Sequence, residues 1–461
     1  MDDTGTLSAL LNRAADVPGG PISVSGPLLV SAARRRTRRR RLVAVSSVAA
    51  GAVLVVATTA ALTGHNTVAQ PAGPSAVQIA RGHWSTLPAS PVPGRSFAAS
   101  AWTGQLMVVW GGASVGIGQL PVVRSDGASY DPVTHQWAVL PRSPLGPRAF
   151  AASAWTGKEL FVWGGASAST PNGDSVSTSG ALYDPARRTW RMIAPGPLSG
   201  RESAQAFWTG SAVLVIGGRA PLTGTSKTAP AEDLDGALYD PATDRWTTVP
   251  SVPLVAGHPI YSLVVGVAAG HTYAFAIWDT TSISAGGVVT QTSSGGVDLS
   301  VLDARTDRWA GPTTWTHSMS QPLSMAAGLL LPAGNFSADR AARGGIPIGL
   351  RGGILDARTG AWRLIAHGPV DDDVAQSAWT GRALISFNSQ GSEGNVALGS
   401  AAVWDPAADR WTSLPRAPAL AELGSPAVWT GKELLVWGQP ADPANAPVAK
   451  DRPAVGLQFG G

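Results

Sequence analysis

The 461-residue chain contains no cysteine, which removes disulfides, thiolate metal sites and a cysteine nucleophile together. Charge is scarce: only 14% of residues are Asp, Glu, Lys or Arg, and lysine occurs four times. The formal net charge of +4 is local rather than general. Eight of the 34 basic and three of the 30 acidic residues precede residue 65, leaving 26 against 27 over residues 65 to 461. So balanced a segment offers no polyanion-binding face, and no nucleic-acid partner is expected. Long apolar runs are missing with one exception, which argues against a bundle of membrane helices. What is abundant is Gly (55), Pro (36) and Trp (18), a composition of many short strands joined by tight turns, with little helix. High Ala, Gly and Arg with so little Lys also matches a GC-rich bacterial genome.

The exception is Leu42 to Leu62, 21 residues without a charge. At about 1.5 Å rise per residue a helix of this length spans roughly the 30 Å hydrocarbon core of a bilayer. Arg34 to Arg36 and Arg38 to Arg41 abut its N-terminal side, and nothing comparable follows it. The positive-inside rule then predicts a single-pass plasma-membrane protein with a cytosolic Arg-rich tail, residues 1 to 41, and everything after residue 62 outside. A second reading of the same segment is a cleaved export signal, since Thr37-Arg38-Arg39 precedes the apolar stretch. Both the 41 residues before it and the length of the run exceed those of ordinary signals. Residues 63 to 80, with Gly64, Pro71, Gly73 and Pro74, read as a flexible extracellular tether.

From residue 81 onward one pattern recurs. Its first half is Trp-Thr-Gly followed by an apolar strand, at Trp102, Trp155, Trp208, Trp379 and Trp429. Thr-Gly predicts a hairpin turn, because Gly accepts the positive φ that such turns need. The second half, Tyr-Asp-Pro-x-x-x-x-Trp, is complete at Tyr130 to Trp137, Tyr183 to Trp190 and Tyr239 to Trp246. It is modified at Leu302 to Trp309, Leu355 to Trp362 and Trp404 to Trp411. Successive Trp residues counted from Trp84 lie 53, 53, 56, 63, 53 and 49 residues apart. Two degenerate first halves, around Val267 to Asp279 and Met325 to Asn335, bring the hairpins to seven. The one Trp strand that is then lacking is supplied by Gly82 to Pro88, which would pair with a strand ending near Phe459 and remove an open sheet edge.

An apolar strand ending in Gly-Gly, then Tyr-Asp-Pro-x-x-x-x-Trp, repeated about every 50 residues over 82 to 459, resembles the kelch motif of galactose-oxidase-like propellers. The resemblance implies an all-β fold over residues 81 to 461: a seven-bladed kelch-like β-propeller closed by an N-terminal strand and preceded by one transmembrane helix. Most of the tryptophans then pack blade against blade, and the Gly pairs at 111, 164 and 217 mark close backbone approach. It does not carry copper-radical galactose oxidase activity, whose site needs a Tyr cross-linked to Cys.

Function in a propeller concentrates on the face where the loops surround the central channel. Counting back nine residues from each hairpin glycine gives the residue entering each inner strand: Arg95, Arg148, Arg201, Tyr261, Met319, Asp372 and Glu422. Arginines in three neighbouring units and carboxylates in two others could orient a dipolar or anionic ligand, with Arg95, Arg148, Arg201, Asp372 and Glu422 as the candidate binding residues. The structural alternative is a ring of ion pairs between blades. His258 and His317 lie nearest this face in the degenerate units, with no second His or carboxylate at metal-ligand spacing, so neither metal nor cofactor is indicated. No nucleophile elbow, phosphate loop or sialidase-type Asp box occurs, and catalysis is not expected. The loops around 113 to 127, 166 to 180, 219 to 235 and 280 to 297 vary most between units. They favour a binding module for a glycan, peptide or protein. Two alternatives stand beside it: a carbohydrate-active enzyme using Asp372 and Glu422 as acid and base, and a sensor. In the latter Leu7, Leu10 and Leu11 form a short helix-like patch in the tail, whose layout resembles membrane-bound anti-sigma regulators of actinobacteria.

Overall fold

Each Trp-Thr-Gly turn is built the same way. The threonine N–H donates to the carbonyl three residues on, as Thr103 to Leu106, Thr156 to Glu159, Thr209 to Ala212 and Thr430 to Glu433. In all four, the Thr Oγ1 accepts the N–H of the same residue. The glycine between them takes φ of 94° at Gly104, 87° at Gly157, 101° at Gly210 and 98° at Gly431, values that a side chain disfavours. The Asp of Tyr-Asp-Pro caps the second turn by accepting the N–H two residues on, at 2.8 Å for Asp131 and Asp240 and 2.9 Å for Asp184 and Asp405.

The computed structural model describes residues 74–114, 122–170, 173–220, 233–258, 260–268, 271–279, 295–303, 308–317, 353–355, 362–364, 375–380, 382–388, 399–418, 424–440 and 453–460. These residues form six four-stranded antiparallel sheets in an all-β propeller. From inner to outer strand, blade I is Ala99–Trp102, Met107–Trp110, Gly127–Asp131 and Gln136–Val139. Blade II is Ala152–Trp155, Leu160–Trp163, Gly180–Asp184 and Thr189–Met192, and blade III is Gln205–Trp208, Val213–Ile216, Gly236–Asp240 and Arg245–Val249. Blade IV has longer strands, Ile260–Ala268, His271–Asp279, Gly295–Asp303 and Arg308–His317. Blade V is Ala375–Trp379, Leu384–Asn388, Ala401–Asp405 and Arg410–Leu414. Blade VI joins Ala427–Trp429, Leu434–Gly438 and Val455–Gly460 to His83–Thr86, with Trp84 opposite Phe459, so the N-terminal strand closes the ring as expected.

The expected seven four-stranded units therefore number six among the described residues, with a two-stranded sheet, Gly353–Leu355 and Trp362–Leu364, lying between blades IV and V in sequence. The hairpin expected at Met325 to Asn335 lies outside the described residues, as do 1 to 41 and the Leu42–Leu62 run. No helix among the described residues is long and apolar enough to cross a membrane. Where the sequence reads as tether up to residue 80, a one-turn helix stands at Ala76–Ile79. Ser75 and Gln78 form its capping box, and Ala76 and Ile79 are buried in the core.

The core sits between blades. Val108 and Trp110 of blade I pack with Leu160, Val162 and Tyr183 of blade II, and Phe161 and Trp163 of blade II with Val213, Val215 and Tyr239 of blade III. Outer-strand tryptophans add directional links. The indole N–H of Trp137 donates to Pro88 O at 3.0 Å, that of Trp190 to Pro141 O at 3.2 Å, that of Trp246 to Ala194 O at 2.9 Å and that of Trp309 to Pro250 O at 2.8 Å. Each reaches the segment leaving the preceding blade, so these residues do more than fill space.

Candidate functional site

Around the channel the backbone is linked from blade to blade. Phe97 N–H donates to Gly424 O at 2.8 Å, Phe150 N–H to Phe97 O at 3.1 Å and Ser203 N–H to Phe150 O at 2.9 Å. All four residues have positive φ: 81° at Gly424, 59° at Phe97, 57° at Phe150 and 59° at Ser203. The Phe97 and Phe150 rings stack at 4.2 Å. Inter-blade packing and hydrogen bonding thus hold three side-chain-bearing residues in the left-handed region.

Two residues before each of Phe97, Phe150 and Ser203 stand the three arginines named from the sequence. All three are buried, with relative exposures of 1% for Arg95, 6% for Arg148 and 1% for Arg201. Arg95 Nε donates to Pro93 O, and its Nη1 and Nη2 meet Asp126 Oδ1 and Oδ2 at 2.6 and 3.3 Å. Arg201 repeats this with Ser199 O and with Asp235 Oδ1 and Oδ2 at 2.6 and 3.3 Å, and Asp233 Oδ2 lies 3.4 Å from its Nε. Arg148 has the same backbone partners in register, Gly146 O, Gly164 O and Ser179 O, but the side chain it meets is Ser179 Oγ at 3.2 Å. These ion pairs lie within blades, not between them. Across the boundary, Gly112 N–H donates to Arg148 O and Gly165 N–H to Arg201 O, both at 2.9 Å.

In each case the partner stands five residues before the turn aspartate: Asp126 before Asp131, Ser179 before Asp184, Asp235 before Asp240. Blade IV has Asp298 at that place before Asp303, and its partner is His258, whose Nδ1 lies 2.8 Å from Asp298 Oδ2. Asp298 Oδ1 also accepts Thr314 Oγ1–H at 2.8 Å, and the His258 ring stacks on Trp278 at 3.8 Å. His258 thus stands where blades I to III have arginine, and the assignment of Tyr261 by counting is corrected. Tyr261 lies inside a nine-residue strand, whereas the inner strand of blade I has four residues, so a fixed count back from the hairpin stops short. A carboxylate on Nδ1 is the arrangement that orients a general base. The same register position in blades I and III serves bracing, which accounts for the pair without chemistry.

Electrostatics separate the sockets. Burial pushes the Asp126 carboxyl up, but the hydrogen bond and charge of Arg95 outweigh it and hold the group below the ordinary carboxylate value. Burial raises Asp233, and neighbouring Asp235 adds to the rise against the pull of Arg201. Burial alone pushes the Arg148 guanidinium down to about 10. Asp372 and Glu422, the remaining candidates, lie outside the described residues. No group of three or more His, Cys, Asp or Glu suited to a metal ion occurs among the described residues.

On blades I and II the connection between second and third strands is extended by a small hairpin, Ala113–Ser114 with Val122–Val123 and Ala166–Thr170 with Gly173–Val176. The two neighbour each other.

No protein-family model matches the chain. Over 129 residues it is 33% identical to the kelch-like protein terF of Aspergillus terreus. That stretch is 26% of this chain and 27% of terF, so the match spans about a quarter of the relative's length. The solved structure of YjhT aligns with a TM-score of 0.43 at 15% identity, over 80% of this chain and 95% of that one.

Proposed function

We propose that the chain is a protein-interaction module that recognises its partner through the socket face of the propeller. One observation carries this reading: on repeated, cross-linked blades, the connections of blades I and II each add a small hairpin, the two hairpins are adjacent, and their sequences differ. Variable segments on a rigid repeated scaffold are the usual arrangement for recognition. The local similarity to a kelch-like protein is consistent with it. Seven blades are the count that the sequence repeats and the extra two-stranded sheet support. The apolar run Leu42–Leu62 behind seven arginines supports display of the propeller at the cell surface from a single membrane span.

The test replaces residues 167 to 176 by a Gly-Ser turn in the full-length chain and compares cross-linked partners. A protein captured by the native chain and lost with the hairpin, at unchanged melting temperature, is the expected result. Partners retained equally by both chains, or saturable binding on a glycan array with no protein partner, would overturn it. Protease treatment of intact cells should digest the propeller, and protection would refute surface display.

A further inference from the structure

Four equivalent sockets can be compared side by side, and one lacks the aspartate that the others carry. Arg95, Arg201 and His258 each meet an aspartate carboxylate, whereas Arg148 meets the hydroxyl of Ser179. A guanidinium carries five N–H donors. Arg148 places one from Nε on Gly146 O, two from Nη1 on Gly164 O and Ser179 O, and one from Nη2 on Ser179 Oγ, which leaves one Nη2 N–H. Beside it Ser177 Oγ and Ser179 Oγ lie 2.8 Å apart, adding two hydroxyls to the same corner. Among the described residues no carboxylate balances this buried cation.

Where the sibling sockets keep their carboxylate is open to solvent: the side chains of Asp126 and Asp235 are 48% and 45% exposed. The corresponding position in blade II is therefore reachable from outside, over half-buried Ser177 and Ser179. From these observations we propose that Arg148, with the Ser177 and Ser179 hydroxyls, is a subsite for a carboxylate presented by a protein partner, an acidic side chain or a chain terminus. It supplies from outside the group that blades I and III carry themselves. The two-point geometry of the siblings, Nη1 and Nη2 on two oxygens of one planar group, is that of a carboxylate. A buried charge left unpaired favours a partner that neutralises it. The protein source rests on the binding function proposed above, and the chain leading out of the socket at Ser177 continues directly from the Ala166–Val176 hairpin.

Ser179→Asp provides the decisive variant, because it builds the sibling socket in blade II. The full-length chain is melted in acetate, in inorganic phosphate and in chloride at equal ionic strength. Acetate should raise the melting temperature of the native chain with concentration and leave that of Ser179→Asp unchanged. Equal acetate shifts in both chains, or a shift with phosphate alone, would refute a carboxylate subsite. A labelled, C-terminally amidated pentapeptide with a central Glu should bind the native chain at least about tenfold more tightly than its amidated Gln counterpart and than it binds Ser179→Asp. A Glu peptide that binds no better than free acetate would remove the protein source. If the partner captured through the hairpin binds Ser179→Asp undiminished, the subsite falls while the interaction function stands. If acetate protects only the native chain and no protein partner is captured, the interaction function falls and takes the protein source with it.

Discussion

Replacing Gly165 with alanine should damage the ring far more than replacing Gly157, although both belong to blade II and share a φ of 87°. That shared backbone state costs an alanine roughly 1–2 kcal/mol at either place. At Gly157 the added Cβ would meet nothing within 4 Å, so the conformational cost is the whole effect. At Gly165 it would come 2.7 Å from the carbonyl oxygen of Ala149 and 3.0 Å from Ala151. The clash is with main chain, which cannot swing aside as a side-chain tip would. Ala149 O already accepts Ala166 N–H at 2.9 Å, and Gly165 N–H reaches Arg201 O of blade III at 2.9 Å. Relieving the contact therefore strains the bridge within blade II and the link to blade III, and overpacking of this kind adds about 1–3 kcal/mol. The expected totals are about 1–2 kcal/mol for Gly157→Ala and about 2–5 kcal/mol for Gly165→Ala. Midpoints of urea unfolding for the two variants, measured in the same full-length chain, decide the matter. Equal midpoints would refute the claim that the second glycine of each Gly-Gly pair exists to let neighbouring backbones approach.

Asp126→Asn should flatten the acid limb of the stability curve. A carboxyl held below its ordinary value of 3.8 contributes stability that is present above that pH and is lost as pH falls through the folded value. Because the Asp126 side chain is 48% exposed, solvent limits the effect to about 0.5 kcal/mol; melting temperatures recorded from pH 2 to 6 would show it, and an unchanged slope would count against the pair. Trp246→Phe keeps most of the ring volume but removes the 2.9 Å indole link to Ala194 O, and a loss of about 1–2 kcal/mol in urea unfolding is expected. No loss would mean that this bond adds nothing to a rim where Ala194 N–H also donates to Asp244 Oδ1 and Arg191 Nη2 to Pro241 O.

Much of this molecule is legible in local chemistry. Trp-Thr-Gly and Tyr-Asp-Pro-x-x-x-x-Trp set their turns through contacts two or three residues apart, so the six four-stranded blades among the described residues, though not the expected seventh, could be laid out from spacing. The pairing of the first strand with the last was also readable, since the repeat lacks one Trp strand at its end and has one spare at its start. Tertiary structure decided what the arginines do. Their partners lie 31 residues away in Asp126 and Ser179 and 34 in Asp235, and His258 is separated from Asp298 by 40. Those separations depend on loop lengths that no repeat constrains. His258 was missed as the arginine equivalent because the strands of blade IV are about twice as long as those of blade I, which displaces any count made from the turn. A signal was present in hindsight: Gly257-His258 matches Gly94-Arg95 and Gly200-Arg201, and Asp298 keeps the five-residue offset from Asp303. Burial of the arginines was beyond sequence altogether. Turn and strand preferences are properties of a few adjacent residues, whereas the depth of a charge and the group that meets it follow from how sheets far apart in the chain close into a ring.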